Sequence, residues 1–213
     1  MRKATALMLI AFALMWSTLL TVEAAPRGEK YRVTVMEFGT YQELDIDNLR
    51  VAGSEKSMYE MVVNSLLDTK RFSTFELERD RLDEAQINYK GKIAKSDVKK
   101  IGEIQNVPYL ICGSVMDIAP IESECMVLSN GLKVYSVRAE IMMVMVDATD
   151  GKYIRSAIGA GTSSSAHVKV GNDLHTFNIG STKVAQSSVV SALLKASEDA
   201  VEKLVSELGS MKK

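Results

Sequence analysis

Few residues in this chain have the types and spacing that chemistry needs. Two histidines, His167 and His175, fall in one Gly- and Ser-rich stretch. A zinc site takes three or four nitrogen, sulfur or carboxylate ligands. Only Asp173 is at hand, so the pair reads as surface residues flanking a hairpin. Cys112 and Cys125 are the only thiols, and an exported protein could join them. Along one extended strand they would lie roughly 40 Å apart, whereas a disulfide needs Cα atoms within about 7 Å. Only a sharp fold-back at Pro120 would bring them together, so Cys112 reads as a small core hydrophobe. Gly159-Ala160-Gly161-Thr162 has the look of a phosphate loop but lacks its spacing and its lysine. Glu78-Arg79 and the Glu122/Glu124 pair have no acid–base partner nearby, and the latter reads as a solvated strand edge. No nucleophile elbow, HExxH or Ser/His/Asp arrangement occurs. The sequence assigns no catalytic, cofactor-binding or metal-binding residues and calls for no cofactor. The expectation is a protein that is not an enzyme.

The elements around these residues are better marked. Tyr109–Cys112 is an unbroken apolar run that continues through Gly113, Val115 and Met116, the pattern of a strand covered on both faces. Ile141–Val146 is a second such run, entered through an alternating segment from Tyr135 to Glu140. Asn130-Gly131 is a two-residue hairpin signal. That turn would set Leu128 opposite Lys133, Val127 opposite Val134 and Ser123 opposite Arg138. Pro120 would interrupt the first strand or mark a bulged edge. Asp150-Gly151 reverses the chain into a third strand, Lys152–Ile158. These three strands form an antiparallel meander.

Upstream, Tyr31–Phe38 alternates as a strand and Gly39–Glu55 reads as a loop. Ser57 and Glu60 have the spacing of a capping box, and Met58, Met61, Val62, Ser65 and Leu66 fall on one helical face. Core packing is the use expected of this Met-rich stripe. Arg71–Arg79 is a strand anchored by Phe72 and Phe75, and Asp80–Ile87 is a short polar helix. Ser96 would cap a helix to Gln105, with Asp97 in its first turn and Val98, Ile101 and Ile104 as its stripe. Gly102 within it points to close packing on a neighbour. After the meander, Ala157–Ser181 reads as a flexible hairpin or loop around Gly171-Asn172-Asp173. Lys183–Leu208 is the longest helical pattern, stopped by Gly209. The fold class is therefore α/β (α+β). One mixed sheet of about five strands is flanked by helices, running strand-helix-strand-helix-helix, then the meander, then a long C-terminal helix.

Residues 1–24 read as an address. Arg2 and Lys3 precede a long apolar run, and Val22-Glu23-Ala24 ends in a small residue suited to cleavage, with Ala25 first in the mature chain. No cysteine lies there to carry a lipid, so the expectation is an exported periplasmic protein that is not a lipoprotein. The domain is Ala25–Lys213, enough for one real core. A net charge of −1 gives no reason to expect nucleic acid as a partner.

Taken in order, KYRVTVMEF, SMYEMVVNSLLDTKRF, FELERDRL, KIGEIQNVPYLICGSV, VMVDATDGKYIRSAIGAG and the closing VVSALLKASEDAVEKLV resemble the CsgG family, the curli production assembly/transport component. The resemblance spans roughly Lys30–Leu208. It implies one sheet flanked by helices, at work in the periplasm or at the outer membrane. It also implies that Ile118–Glu140 and Ala157–Ser181 match the two hairpins that the channel member lends to a barrel. A barrel strand needs one apolar face over about 9–11 residues. Here Arg138 and Glu140, or Glu122 and Glu124, charge each face, which argues against membrane insertion. The function expected is a non-enzymatic component of secretion or curli-like surface assembly. It would act by contact with cell-envelope proteins, with a homo-oligomeric ring as one form. The alternative is an accessory regulator of a cell-envelope enzyme, resembling the lipoprotein activators of penicillin-binding proteins.

Overall fold

The computed structural model describes residues 30–40, 58–89, 93–127, 130–165, 176–179 and 182–209. The address at 1–24, most of the loop expected at Gly39–Glu55, the cap at Ser57, and Asp173 with both histidines lie outside them.

Strands β1 (Tyr31–Val35), β3 (Phe72–Phe75) and β4 (Tyr109–Val127) pair in parallel. β4, β5 (Asn130–Asp147) and β6 (Tyr153–Ser165) form the antiparallel meander. The sheet order is β3-β1-β4-β5-β6, with the two-residue β2 (Gly39–Thr40) pairing with β4. Helix α1 (Met58–Asp68) links β1 to β3, while α2 (Arg79–Glu84) and α3 (Lys95–Gln105) lie between β3 and β4. β7 (Thr176–Ile179) and β8 (Thr182–Ala185) make a separate hairpin, and α4 (Gln186–Gly209) closes the chain. The expected mixed α/β architecture is the one found.

Strand alternation divides the core between the two sheet faces. On one face Val33, Val35, Ile111, Ile141, Met143 and Met145 meet α1 and α4. The buried residues of α1 are the five of its apolar stripe, Met58, Met61, Val62, Ser65 and Leu66, so the methionines are core. On the other face Met36, Leu110 and Val146 meet Leu82 of α2 and Val98 and Ile101 of α3. Gly102 packs as its position suggested: a Cβ there would fall 2.4 Å from the Cβ of Ala148.

Several expectations are corrected. Asn130 and Gly131 are not the hairpin turn. They lie in β5 opposite Val127 and Met126, so Ser123 faces Val134 and not Arg138. Pro120 does not interrupt β4; it pairs opposite Val137, and the register shift lies between Val115 and Asp117. Helix α3 starts one residue before Ser96. Its N-cap is Ala94, whose carbonyl accepts from the N–H groups of Asp97 and Val98 at 2.9 and 3.2 Å. Strand β3 stops at Phe75, and Phe75 is 38% exposed beneath the Arg32 guanidinium while Phe72 is fully buried. β6 runs on to Ser165, past the Ile158 at which the third strand was expected to end and into the segment expected as a flexible hairpin or loop, and Thr182–Ala185 is strand, so the last helix begins at Gln186 and not at Lys183. The Asp150-Gly151 reversal is as expected: Gly151 has φ +69° and its N–H donates to the Asp147 carbonyl at 2.9 Å.

Thr34, in β1, is completely buried, and its hydroxyl has no hydrogen-bond partner among the described residues. An unsatisfied buried hydroxyl costs about 1–3 kcal/mol. Thr34→Val, which keeps the shape, should raise Tm by about 2–4 °C per kcal/mol recovered. A melt no higher than the parent's would show that the hydroxyl is satisfied.

Candidate protein-contact surface

In open parallel sheets, ligands collect at the carboxyl ends of strands where the connections diverge. Here that place is the end of β1 beside β4, and the chain itself fills it. The Met36 N–H donates to the Ile111 carbonyl at 2.8 Å, and β2 pairs with β4 at Ser114 and Val115. Phe38 lies so close on Gly113 that a Cβ there would come within 2.2 Å of its ring.

Charged side chains nearby are used in fixing loops. Arg79 holds Glu37 at 2.7 Å and lies 5.4 Å above the Tyr59 ring. Its hydrogen bond to Glu37 holds the guanidinium even higher than usual, and burial pushes the Tyr59 phenol up. Gln105, in the amide orientation that satisfies both of its ends, donates to the Glu76 carbonyl and accepts from the Glu78 N–H, each at 2.9 Å. This buried clamp fixes the Glu76-Leu77-Glu78 bend and explains why the strand signal in FELER ends early. In the last turn of the meander, Lys152 reaches Asp150 at 2.5 Å; the contact holds the carboxyl low and the amine high. Each of these shifts deepens the charge state the group already has near neutral pH. No group of three or more His, Cys, Asp or Glu among the described residues could hold a metal.

Cys112 is free and lies in the same continuous strand as Cys125. Burial pushes its thiol from 9.0 up to about 12. The thiolate is the reactive form, so iodoacetamide at pH 8 should modify the partly buried Cys112 far more slowly in the native protein than in denaturant. The unfolded chain loses this proton at lower pH than the folded one. The thiol's contribution to stability is therefore complete below pH 9 and is lost as pH rises toward 12. Peptide-level mass spectrometry reads the labelling; rapid native labelling of Cys112 would contradict the burial.

What the fold leaves open is one face of β5 and β6. Ala157, Gly159, Gly161 and Ser163 of β6 are buried, whereas Ser156, Ile158, Ala160 and Thr162 between them are exposed, Ile158 by 54%. Met142 and Val144 of β5 are half-buried on the same face, and Arg138 and Glu140 pair on it. Helices α2 and α3 cover the β1 end of this face and do not reach β6. Ile121 of β4, 38% exposed, lies at the same level of the sheet opposite Ser136. Such a surface has no chemistry of its own and suits contact with another macromolecule. Of the residues singled out from sequence, Arg138 and Glu140 come together here. Glu124 is placed opposite Lys133, and Glu122 opposite Tyr135. The phosphate-loop look-alike is strand. Ile158 was missed; its signal is the alternation that the two glycines beside it conceal.

The fold is a mixed sheet with helices on both faces and, among the described residues, an exposed β5–β6 face. The chain belongs to the CsgG family, described as the curli production assembly/transport component, whose model matches residues 19–213. A comparison with curated protein sequences gave no match. Among solved structures the chain is similar to the lipoprotein GNA1162 from Neisseria meningitidis, at 10% identity and a TM-score of 0.43, over 65% of this chain and 87% of that one. It is similar to the LpoB C-terminal domain from Escherichia coli at 12% identity and a TM-score of 0.40, over 68% and 91%. It also resembles the PelC dodecamer from Paraburkholderia phytofirmans at 15% identity and a TM-score of 0.37, over 85% and 88%.

Proposed function

We propose that this protein is an exported, periplasmic component of secretion or curli-like surface assembly, working by contact with envelope proteins and with other copies of itself. Membership of the CsgG family along nearly the whole chain carries this reading. The open β5–β6 face supports it, because a mixed apolar and polar surface is the kind that protein partners cover. In this reading residues 1–24 direct export and Ala25–Lys213 form the working domain. The test is the native mass of that domain by light scattering on a sizing column, with and without mild detergent. A discrete homo-oligomer is the expected result, a closed ring being one form that such self-contact takes. A monomer in both conditions overturns the self-assembling reading.

A further inference from the structure

Among the described residues β6 ends the sheet on one side, so a row of its backbone groups faces away from β5. Such a row is a template for a further strand. Part of it is already engaged by α4. Lys195 Nζ donates to the Thr162 carbonyl at 3.0 Å. The Ala160 N–H donates to Asp199 Oδ2 at 2.8 Å. Lys203 Nζ donates to the Ile158 carbonyl at 2.9 Å and to Asp199 Oδ2 at 2.7 Å. Each cation meets a carbonyl and the carboxylate meets an N–H, as a pairing strand would offer.

The spacing explains why the contacts repeat. Four residues of helix rise about 6 Å and two residues of strand about 6.6 Å. Helix positions 195, 199 and 203 therefore keep step with strand positions 162, 160 and 158 on an antiparallel course. The helix can come this close because Gly159 and Gly161 turn no side chain toward it.

We propose that this ladder is a guard, closing the β6 edge to a second strand, and that the strand it excludes is β6 of another copy. The edge is complementary to itself. Two β6 strands running antiparallel about Ala160 would pair Ile158 with Thr162 and Ala160 with Ala160, each supplying what the other lacks. Assembly of this protein, where it occurs, then proceeds through other surfaces, the open β5–β6 face among them.

The test compares the domain with its Lys195→Ala/Asp199→Ala/Lys203→Ala variant by light scattering and by amide hydrogen exchange. The variant should show a concentration-dependent mass at least twofold above that of the parent. Adding Ala160→Pro, which removes the outward N–H, should return it to the parent's mass. Asp199→Ala alone should speed exchange at the Ala160 amide at least tenfold. The guard is overturned if the triple variant keeps the parent's mass, if its association survives Ala160→Pro, or if the Ala160 amide is indifferent to Asp199. Each reading is relative to the parent, so the outcome is independent of whether the parent is a ring or a monomer.

Discussion

Gly161→Ala separates α4 from the sheet. A Cβ at this position would lie 2.1 Å from the Ala192 carbonyl oxygen and 2.5 Å from the Ala196 nitrogen. Both are helix backbone, so no side chain can turn aside. The helix would have to lift by roughly 1 Å to restore an ordinary contact, and it is the helix that buries Val189, Leu193, Val201, Leu204 and Leu208 in the core. Overpacking that side chains can relieve costs about 1–3 kcal/mol. This substitution should cost at least about 3 kcal/mol, a fall in Tm of roughly 6–12 °C or more at this chain length. Gly159→Ala should behave alike, because its Cβ would lie 2.0 Å from the Ala196 carbonyl oxygen. Gly209→Ala is the control, since its nearest neighbour would be an ordinary 3.5 Å away. Circular dichroism melts of the three variants check this. A Gly161→Ala melt within a degree or two of the parent would refute the contact between backbones.

Phe72→Ala is the second large effect. Phe72 is fully buried in the edge strand β3, with its ring centroid 5.8 Å from that of Tyr31, which in turn meets the Tyr109 ring edge-on at 5.8 Å. Those three rings tie β3, β1 and β4 together at one end of the sheet. Among the described residues β3 has four residues and one neighbouring strand, so its anchoring rests heavily on this ring. Truncating a buried phenylalanine costs about 3–5 kcal/mol, and the melt should fall by roughly 6–20 °C. Phe75→Ala, three residues away, should cost no more than about 1 kcal/mol, since it removes a partly exposed ring and an exposed cation–π contact. Equal losses at the two positions would mean that β3 is not anchored as described.

These two phenylalanines show where the sequence is legible. Both looked like anchors in RFSTFELER, because a strand pattern reports periodicity and says nothing of which neighbour stands over each face. Where a neighbour is long and amphipathic, as with α1, the apolar stripe names the buried residues one by one. The Gly- and Ser-rich segment after Ile158 reads as either a hairpin or a loop for a related reason. Gly159 and Gly161 carry the composition of a loop, yet they belong to a strand that must admit a helix at backbone distance, and only the helix explains them. The hairpin tip was misplaced because Asn130-Gly131 is a strong local turn signal that the long β4–β5 pairing overrides. The error moved each partner by an even number of residues, from Arg138 to Val134 opposite Ser123, so the faces were still assigned correctly. The open β5–β6 face was not legible as a surface, because exposure there depends on where α2 and α3 end.

The register shift at Met116 acts on β4 as a frameshift acts on a message. Before it the core-facing positions include Ile111 and Val115; after it they include Ile118. On β5 the core-facing sequence Val137, Ala139, Ile141, Met143, Met145 never changes phase. The shift absorbs the odd residue at 116, so that β4 presents one face to the core on both sides of it. Lengthening the hairpin by equal additions to both arms at its tip would leave this phase untouched. Deleting Met116 would remove the shift and leave Asp117 opposite Glu140 and Ile118 opposite Ala139 in unbroken alternation, whereas deleting a residue beyond it, such as Ala119, would turn the rest of β4 to the opposite face.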